Sequence, residues 1–178
     1  MDPRSVARFV EDAEHQAMAH RLYTLVFPMD EQNDRVLLGM KKRGFGRDKL
    51  NGFGGKVEAN ETITKGAERE LAEESGLVTK SIKQCGLLLF YFENDLVAME
   101  VHVFLVDRYE GAAVETDEMR PQWFGIRDMP FELMWADDSH WWPYVLKGQK
   151  FVGQFWFKAD QVTFTRHTLR AVDSLDFA

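Results

Sequence analysis

The chain has 178 residues, of which 45% are hydrophobic and 13% aromatic, and this composition supports one domain with a sizeable core. Its formal net charge of −7 argues against nonspecific binding to polymeric nucleic acid or to membranes, although a bound metal and local lysines can still hold a small anion. The single cysteine, Cys85, excludes an intrachain disulfide and fits a reducing compartment.

The first twenty residues precede the regular pattern, so we divide the chain into an extension at 1–20 and a domain at 21–178. Basic and apolar residues in the extension have helix-like spacing, as in a mitochondrial presequence. Acidic residues such as Glu11 and Asp12 contradict the acid-poor composition of such segments, so a short helical extension is the better interpretation. Met18 stays open as an alternative start.

Short runs rich in apolar and β-branched residues predict the strands of the domain. They alternate with polar or glycine-containing turns, and one long helical segment lies between the second and third strands. Together they predict a single α+β domain with a mixed sheet. The predicted strands cover residues 22–27, 35–42, 87–92, 98–106, 121–124, 151–157 and 162–167.

Capping residues mark the ends of the long helix. Thr62 or Asn60 is the predicted N-cap, because both side chains can accept a hydrogen bond from a free amide of the first turn. Gly76 is the predicted residue just past the C-terminus, where a left-handed backbone is common. A second helix is predicted to follow the acidic pair at 137–138 and to run to about Lys147.

Three carboxylates lie close together on the long helix. Glu70, Glu73 and Glu74 have i, i+3 and i+4 spacing and fall within one arc of about 100°. Like charges at this spacing repel one another, and a divalent cation would remove that repulsion. Because the ligands are oxygen atoms, the arrangement favours a hard ion such as Mg²⁺ or Mn²⁺.

A solvated acidic face is the alternative interpretation of the same residues. The apolar residues Ile63, Ala67 and Leu71 step by four and fall inside or beside the carboxylate arc. The acidic arc therefore borders the buried side of the helix, where carboxylates need a partner. Spacing alone does not decide between the two interpretations.

Glycines cluster around Phe45 and Phe53 between the second strand and the long helix, and they imply close approach of the backbone to another group. They are Gly44, Gly46, Gly52, Gly54 and Gly55. Lys41 ends the preceding strand, where it is either a phosphate ligand or a solvated strand end. Lys56 is a second candidate for phosphate binding.

Two adjacent carboxylates, Asp137 and Asp138, follow Trp135 near the C-terminal end of the chain. Helix capping accounts for one of them without any ligand, because an acidic side chain at a helix N-terminus is favoured by hydrogen bonding and by the dipole. The residues alone leave this interpretation open beside a role in ligand binding.

The long helix and its entry carry a motif of nine specified positions in 23 residues. The sequence fits G-x5-E-x7-R-E-U-x-E-E-x-G-U, where U is a bulky aliphatic residue, at Gly55, Glu61, Arg69, Glu70, Leu71, Glu73, Glu74, Gly76 and Leu77. This pattern resembles the box of the Nudix hydrolases. The resemblance implies an α/β/α sandwich around a mixed sheet, with the box forming a loop–helix–loop.

Further segments extend the resemblance to the oxidised purine nucleoside triphosphatases, the 8-oxo-dGTPases, over roughly residues 21–172. They include RLYTLVF, RVLLGMKKRGFG, NGFGGKV and MWADDSHWWP. The resemblance implies Mg²⁺-dependent hydrolysis of 8-oxo-dGTP, 2-hydroxy-dATP and O6-methyl-dGTP to the monophosphate and pyrophosphate. Such an activity sanitises the nucleotide pool and prevents misincorporation into DNA.

The resemblance also implies roles for individual residues in the chemistry. Glu70, Glu73, Glu74, Glu118 and the carbonyl of Gly54 match metal ligands. Either Glu74 or Glu118 would take the proton from water, and we favour Glu74. Arg69 is expected to order the glutamates by ion pairing, and it stands with Glu73, Glu74 and Glu118 as a catalytic candidate.

A larger group of residues matches the substrate site of that family. Trp135 is expected to stack on the base, Asn51, Asp137 and Asp138 to read its edge, and one of the two acids to keep its proton. The full set is Thr24, Lys41, Phe45, Asn51, Phe53, Gly54, Gly55, Lys56, Phe90, Trp135, Ala136, Asp137 and Asp138. Phe92, Met99 and Met119 are further candidates for the pocket wall, and for Phe90, Phe92 and Met99 plain core packing is equally consistent.

Two other functions remain open at this point. The chain could be a Nudix hydrolase of another nucleoside diphosphate derivative, or a Nudix-fold sensor that binds nucleotides without cleaving them. The intact box argues against the sensor. We expect a cytoplasmic monomer, with mitochondrial and nuclear pools, that binds neither polymeric nucleic acid nor membranes.

Overall fold

The computed structural model of the protein describes residue 15 and residues 18–175. The described residues form eight β-strands, two α-helices and one 3₁₀ turn. The strands are β1 (Ala19–Asp30), β2 (Arg35–Lys41), β3 (Leu50–Asn51), β4 (Val78–Phe92), β5 (Val97–Glu110), β6 (Met119–Gly125), β7 (Lys150–Phe157) and β8 (Phe164–Val172). The helices are α1 (Ile63–Ser75) and α2 (Asp138–Leu146), and the 3₁₀ turn covers Phe131–Leu133.

The strands form one mixed sheet in the order β3-β2-β1-β5-β4-β7-β8, and β6 pairs with β2 outside this path. β1 runs parallel to β5, and β4 runs parallel to β7. The other pairs are antiparallel. The mixed sheet predicted from the sequence is confirmed.

The two helices cover opposite faces of this sheet. Neighbouring strand residues point to opposite faces, so Val26 and Phe27 of β1 belong to different cores. Val26 packs with Ala67 and Leu71 of α1, whereas Phe27 packs with the buried tryptophans of α2. The three layers agree with the expected α/β/α sandwich.

Strands β4 and β5 are longer than the sequence predicts. Pairing continues past the apolar runs to Val78 and Glu110, with register irregularities on β4 between Thr79 and Ser81 and between Gln84 and Gly86. The extra length has mixed polar and charged residues that alternate in exposure, so it lacks the apolar signal used for prediction. β1 likewise starts at Ala19, inside the expected extension, most of which lies outside the described residues.

A buried ionic network crosses the centre of the sheet. Glu100 of β5 has 3% of its surface exposed and accepts hydrogen bonds from His20 Nδ1 and His102 Nε2, both at 2.8 Å. Gln84 Nε2 lies 2.9 Å from His102 Nδ1. Burial alone would raise the pKa of Glu100, but the two histidines outweigh it and hold that pKa at about 2.

Within residue 15 and residues 18–175, no helix is long and apolar enough to cross a membrane.

Candidate functional site

A cavity of about 490 Å³ opens between the sheet, the glycine-rich loop and the N-terminal end of α2. This volume suits a small-molecule ligand. Its lining includes Lys41, Glu118 and the backbone of Gly54, which lie beside Glu74 of α1, and Trp135 with the acidic pair, which lie at the start of α2. The remaining lining residues are Tyr23, Thr24, Leu25, Arg43, Gly44, Phe45, Gly46, Asn51, Gly52, Gly55, Phe90, Phe92, Met99, Val101, Met119, Phe157 and Gln161, with Asp137 and Asp138 as the pair.

Helix α1 has the predicted caps, and these mark its two ends. The Thr62 hydroxyl accepts a hydrogen bond from Lys65 N at 3.2 Å. Gly76 has a φ of 77° and donates its N–H to the Ala72 carbonyl at 2.9 Å. Because Ile63 and Leu71 are buried under the sheet, Glu74 is carried into the interior while Glu73 is left at the surface.

Glu74 connects the helix to the cavity. Its Oε2 accepts a hydrogen bond from Gly54 N at 2.9 Å, and its Oε1 accepts one from Lys41 Nζ at 2.8 Å. The Glu74 side chain is only 4% exposed. Burial raises the pKa of Glu74 despite these two donors.

Arg69 holds the other glutamates of the helix and its entry. Its Nη2 donates to Glu61 Oε1 at 2.8 Å, and its Nη1 donates to Glu70 Oε1 at 2.9 Å and to Glu73 Oε2 at 3.2 Å. Burial raises the pKa of Glu70, and Arg69 opposes that rise. These contacts confirm the prediction that Arg69 pairs with the glutamates, and the bond to Glu61 joins the helix entry to the same arginine.

Gly55 lets Glu70 approach the loop backbone. A Cβ atom at this position would lie 2.5 Å from Glu70 Oε1, well inside van der Waals contact. A glycine at this motif position therefore leaves the space that the Glu70 carboxylate occupies.

The donor set of the box fits a hard divalent cation in chemical type, since it consists of carboxylate and carbonyl oxygens. As they stand, however, the described residues contain no group of three or more acidic, histidine or cysteine side chains arranged to hold a metal ion. Lys41 and Arg69 neutralise the carboxylates instead. Glu70 and Glu74 are directed at these cations, and Glu73, whose side chain is 61% exposed, pairs with Arg69 at the surface.

Glu118 reaches the same part of the cavity lining from the loop before β6. It accepts hydrogen bonds from Arg43 Nε at 3.2 Å and from Lys41 Nζ at 3.3 Å. Hydrogen bonding to Arg43 is the main cause of the lowered pKa of Glu118. Lys41 thus lies between Glu74 and Glu118, so the alternative of a solvated strand end is wrong.

Asp137 and Asp138 are almost completely buried, with 4% and 2% of their surfaces exposed. Asp137 Oδ2 accepts a hydrogen bond from Trp141 Nε1 at 3.1 Å, and Asp138 Oδ2 accepts one from Trp135 N at 2.9 Å. Burial raises the pKa of Asp137 to about 6. Burial, and then the charge of Asp137, raise the pKa of Asp138 well above its ordinary value.

The structure contradicts the hydrogen-bonding part of the capping interpretation. Asp137 occupies the N-cap position of α2, but within the described residues its side chain makes no capping hydrogen bond. Both acids line the cavity instead.

Trp135 supplies an aromatic wall beside the acids. The Phe45 ring stacks on it, with ring centroids 4.9 Å apart and an interplanar angle of 25°. Lys49 Nζ lies 5.1 Å from the centroid of the Trp135 ring. Gly46 passes so close that a Cβ there would lie 3.1 Å from the indole.

Two polar side chains on other strands face the same cavity. Thr24 Oγ1 is buried and has no hydrogen-bond partner among the residues that the structure describes. Asn51 accepts a hydrogen bond from Gly52 N at 2.9 Å through its Oδ1. An unpaired buried hydroxyl on a cavity wall is costly unless a ligand satisfies it.

Three residues predicted for the substrate site lie elsewhere. Phe53 is fully buried in the core under α1, its N–H and C=O both pair with Val26, and it does not line the cavity. Lys56 and Ala136 are exposed and do not line the cavity. Their assignment to the substrate site therefore stays a prediction, and these three residues are not part of the cavity lining.

Other lining residues were missed from the sequence. Arg43 belongs to a basic patch with Lys41 and Lys42 that could have indicated it. Phe157 and Gln161 come from the β7–β8 hairpin, far along the chain, and no local pattern marks them. Tyr23, Leu25 and Val101 are ordinary strand residues whose position only the fold reveals.

Comparison with known proteins gives consistent matches. Residues 19–145 match the NUDIX domain. The chain is 51% identical over 154 residues to the oxidized purine nucleoside triphosphate hydrolase of Mus musculus, covering 86% of this chain and 97% of that protein. It is 50% identical over 155 residues to the protein of the same name from Danio rerio, covering 87% and 97%.

Similarity extends to solved structures. The crystal structure of the MutT protein from Bacillus halodurans superposes with a TM-score of 0.73 at 26% identity, covering 84% of this chain and 97% of that one.

Proposed function

The chain belongs to the Nudix family, and on that premise we propose that it hydrolyses oxidised purine nucleoside triphosphates to the monophosphate and pyrophosphate. The observation that carries the proposal is one cavity lined by two chemically different groups of residues. Lys41 and Glu118 lie beside the box helix, which we call the box end, and Trp135, Asp137 and Asp138 lie at the start of α2, which we call the base end. A triphosphate and a purine need these two environments.

At the box end, Nudix hydrolases use a divalent metal, and we propose Mg²⁺, with Mn²⁺ as a substitute. Glu70, Glu73, Glu74, Glu118 and the Gly54 carbonyl are the proposed ligands. When bound, the metal would neutralise polyphosphate charge and acidify a water molecule. All four of these carboxylates are now paired with Lys41 or Arg69, whose charges the metal would replace in part.

The chain's own residues then hold the phosphates and accept the proton. Lys41 and Arg43 line the cavity and would turn from the carboxylates to phosphate oxygens. Glu74, fixed against Gly54 N at the cavity edge, is the proposed acceptor of the water proton.

At the base end, the buried acidic pair supports recognition of a changed purine edge. Two adjacent buried carboxyl groups do not both ionise near neutral pH, so one donates a hydrogen bond while the other accepts. Moving the proton lets one site read oxidised guanine and 2-hydroxyadenine. Asn51 and the unpaired Thr24 hydroxyl would complete the edge contacts, and Trp135 would stack on the ring.

The proposed substrates are 8-oxo-dGTP, 2-hydroxy-dATP and O6-methyl-dGTP. Their removal sanitises the nucleotide pool and prevents misincorporation into DNA. We further propose that the protein acts as a monomer in the cytoplasm, with mitochondrial and nuclear pools, and without polymeric nucleic acid or a membrane as partner.

A substrate panel with Mg²⁺, measured by pyrophosphate release, tests the proposal. We expect 8-oxo-dGTP to be preferred over dGTP, and the absence of any preference would refute the specificity. Turnover of ADP-ribose or a dinucleoside polyphosphate in place of the triphosphates would assign another Nudix activity. Binding without turnover of any nucleotide would assign a sensor.

Glu74→Gln should lower kcat by roughly 10²–10⁴-fold, because the amide cannot accept the proton, while nucleotide binding is retained. Glu68→Gln is the matched control on the same helix, since Glu68 pairs with Lys65 outside the cavity. Equal activity in both variants would remove Glu74 from the chemistry.

A further inference from the structure

Lys49 connects the loop before β3 to the segment that carries the acidic pair. Its Nζ donates a hydrogen bond to the Met134 carbonyl at 3.1 Å and lies 5.1 Å from the centroid of the Trp135 ring. The side chain is half-buried. A lysine in this position both restrains the indole by a cation–π contact and brings a positive charge to the base end of the cavity.

The backbone of Lys49 is fixed, so the reach of its side chain is defined. Its carbonyl accepts a hydrogen bond from Lys41 N at 2.9 Å, and its N–H donates to the Gly46 carbonyl at 3.1 Å. The same loop presents Phe45, which stacks on Trp135. Lys49 and Phe45 therefore hold the indole from one loop.

The segment that Lys49 contacts folds tightly onto the acids. Asp138 N donates to the Trp135 carbonyl at 3.1 Å, and Asp138 Oδ2 accepts from Trp135 N at 2.9 Å. The charged and polar groups that face the pair are Lys49, the Trp135 amide, the Trp141 indole N–H and the acids themselves. Lys49 is the basic residue that lowers the pKa of both acids, against the larger effect of burial.

We propose that Lys49 is a positioning residue for base choice, which holds Trp135 in place and controls how much of the time Asp137 and Asp138 share a proton. The inference rests on the proposed function, because the proton state decides which purine edge the pair can read. Lys49 itself does not line the cavity, so it acts through these three residues.

The sign of the effect follows from the charge. The Lys49 ammonium stabilises an ionised acid, so its removal should raise the pKa of the pair. The singly protonated or fully protonated pair would then persist to higher pH. Because Lys49 contributes less than burial does for either acid, the expected shift is upward and smaller than the shift that burial causes.

The activity test uses Lys49→Met, which keeps the aliphatic stem, and Lys49→Arg, which keeps the charge. The ratio of kcat/KM for 8-oxo-dGTP to that for 2-hydroxy-dATP is measured across pH. We expect a measurable rise in the pH midpoint of this ratio in Lys49→Met, and Lys49→Arg to keep the wild-type midpoint. Arg47→Met, an exposed residue of the same loop, is the control and should leave the midpoint unchanged.

A second measurement separates this inference from the proposed function. Carboxyl ¹³C chemical shifts of Asp137 and Asp138 are titrated in the wild type and in Lys49→Met without substrate. An upward shift of the titration supports the inference even if oxidised purines prove not to be substrates, a result that would refute the proposed function alone. An unchanged titration, or an unchanged midpoint of the activity ratio in a variant with wild-type Tm, overturns the inference.

Discussion

At the scale of single residues, Asp137 and Asp138 are the most unusual pair in the protein. A buried carboxylate without a cation within hydrogen-bonding distance is expensive, and two adjacent ones repel each other as well. Each acid has one hydrogen-bond donor from a tryptophan, and these donors do not offset the burial. The pair is retained in an unfavourable environment, which is typical of a functional site.

Trp135 is the residue whose loss should affect binding more than chemistry. Trp135→Ala removes the stacking surface and should raise KM for 8-oxo-dGTP by an amount equivalent to about 1–3 kcal/mol, since base–aromatic stacking has that magnitude. The effect on kcat should be smaller, because Lys41 and Arg43, the proposed phosphate contacts, are unchanged in this variant. Steady-state kinetics measure both.

Trp135→Phe is the control, because it keeps an aromatic face of smaller area. It should fall between the wild type and Trp135→Ala. An unchanged KM in Trp135→Ala would remove this residue from the base site.

Sequence reasoning could find residues that belong to compact motifs and could not find those that only the fold brings in. The box glutamates lie within five consecutive positions, and the acidic pair at 137–138 is adjacent, so the spacing within each group identifies it. Phe53, predicted for the substrate site, lies in the core, because an aromatic residue between glycines can face either a ligand or the core. Gln161 reaches the cavity from a hairpin with no recognisable pattern.

At the scale of elements, the loop that enters α1 is as important as the helix. Gly54 and Gly55 are neighbours with different roles. A Cβ at Gly54 would lie 2.0 Å from the backbone carbonyl oxygen of Thr24, whereas one at Gly55 would meet the flexible end of the Glu70 side chain. The first contact is with the sheet and the second with the box.

The two alanine substitutions should therefore affect different properties, activity in one case and stability in the other. Gly55→Ala should displace the Glu70 carboxylate and lower hydrolysis at least tenfold, while stability changes by less than about 1 kcal/mol, because only a side-chain end must move. Gly54→Ala should lower the free energy of unfolding by about 3 kcal/mol or more, because backbone atoms must separate.

Urea unfolding and activity, measured on both variants, test this contrast. Wild-type activity in Gly55→Ala would show that the approach of Glu70 to the loop is not required. Wild-type stability in Gly54→Ala would show that the strand and the loop can separate easily.

Element types were predictable, and element lengths were less so. Caps at Thr62 and Gly76 fixed both ends of α1, since each has a specific hydrogen-bonding role. Strand β4 begins at Val78, well before its apolar run, because main-chain pairing with β5 needs no hydrophobic side chains. Pairing partners, and hence strand extent, depend on the whole sheet.

At the scale of the whole molecule, the network around Glu100 connects three strands through its side chains. A carboxyl group whose pKa is lower in the folded state stabilises the fold above its unfolded pKa and loses that contribution as pH falls through its folded pKa. For Glu100 the window runs from 4.5 down to about 2. Acid should therefore weaken the centre of the sheet.

Glu100→Gln should lower the free energy of unfolding by about 3 kcal/mol at neutral pH, from the size of the pKa shift. The difference from wild type should shrink as pH falls from about 4.5 to about 2. Urea unfolding over a pH series measures it. Glu110→Gln, an exposed residue of the same strand, is the control, and a pH-independent difference for Glu100→Gln would contradict the assignment.

The position of β1 has a consequence for how the molecule is made. Its parallel partner β5 ends at Glu110, so the first strand to be synthesised lacks its main neighbour until most of the chain has been translated. Such long-range pairing slows folding, because a large loop must close before the contacts form. During that interval the backbone N–H and C=O groups of β1 that later pair with β5 have no strand partner, and the nascent chain is open to aggregation through this edge.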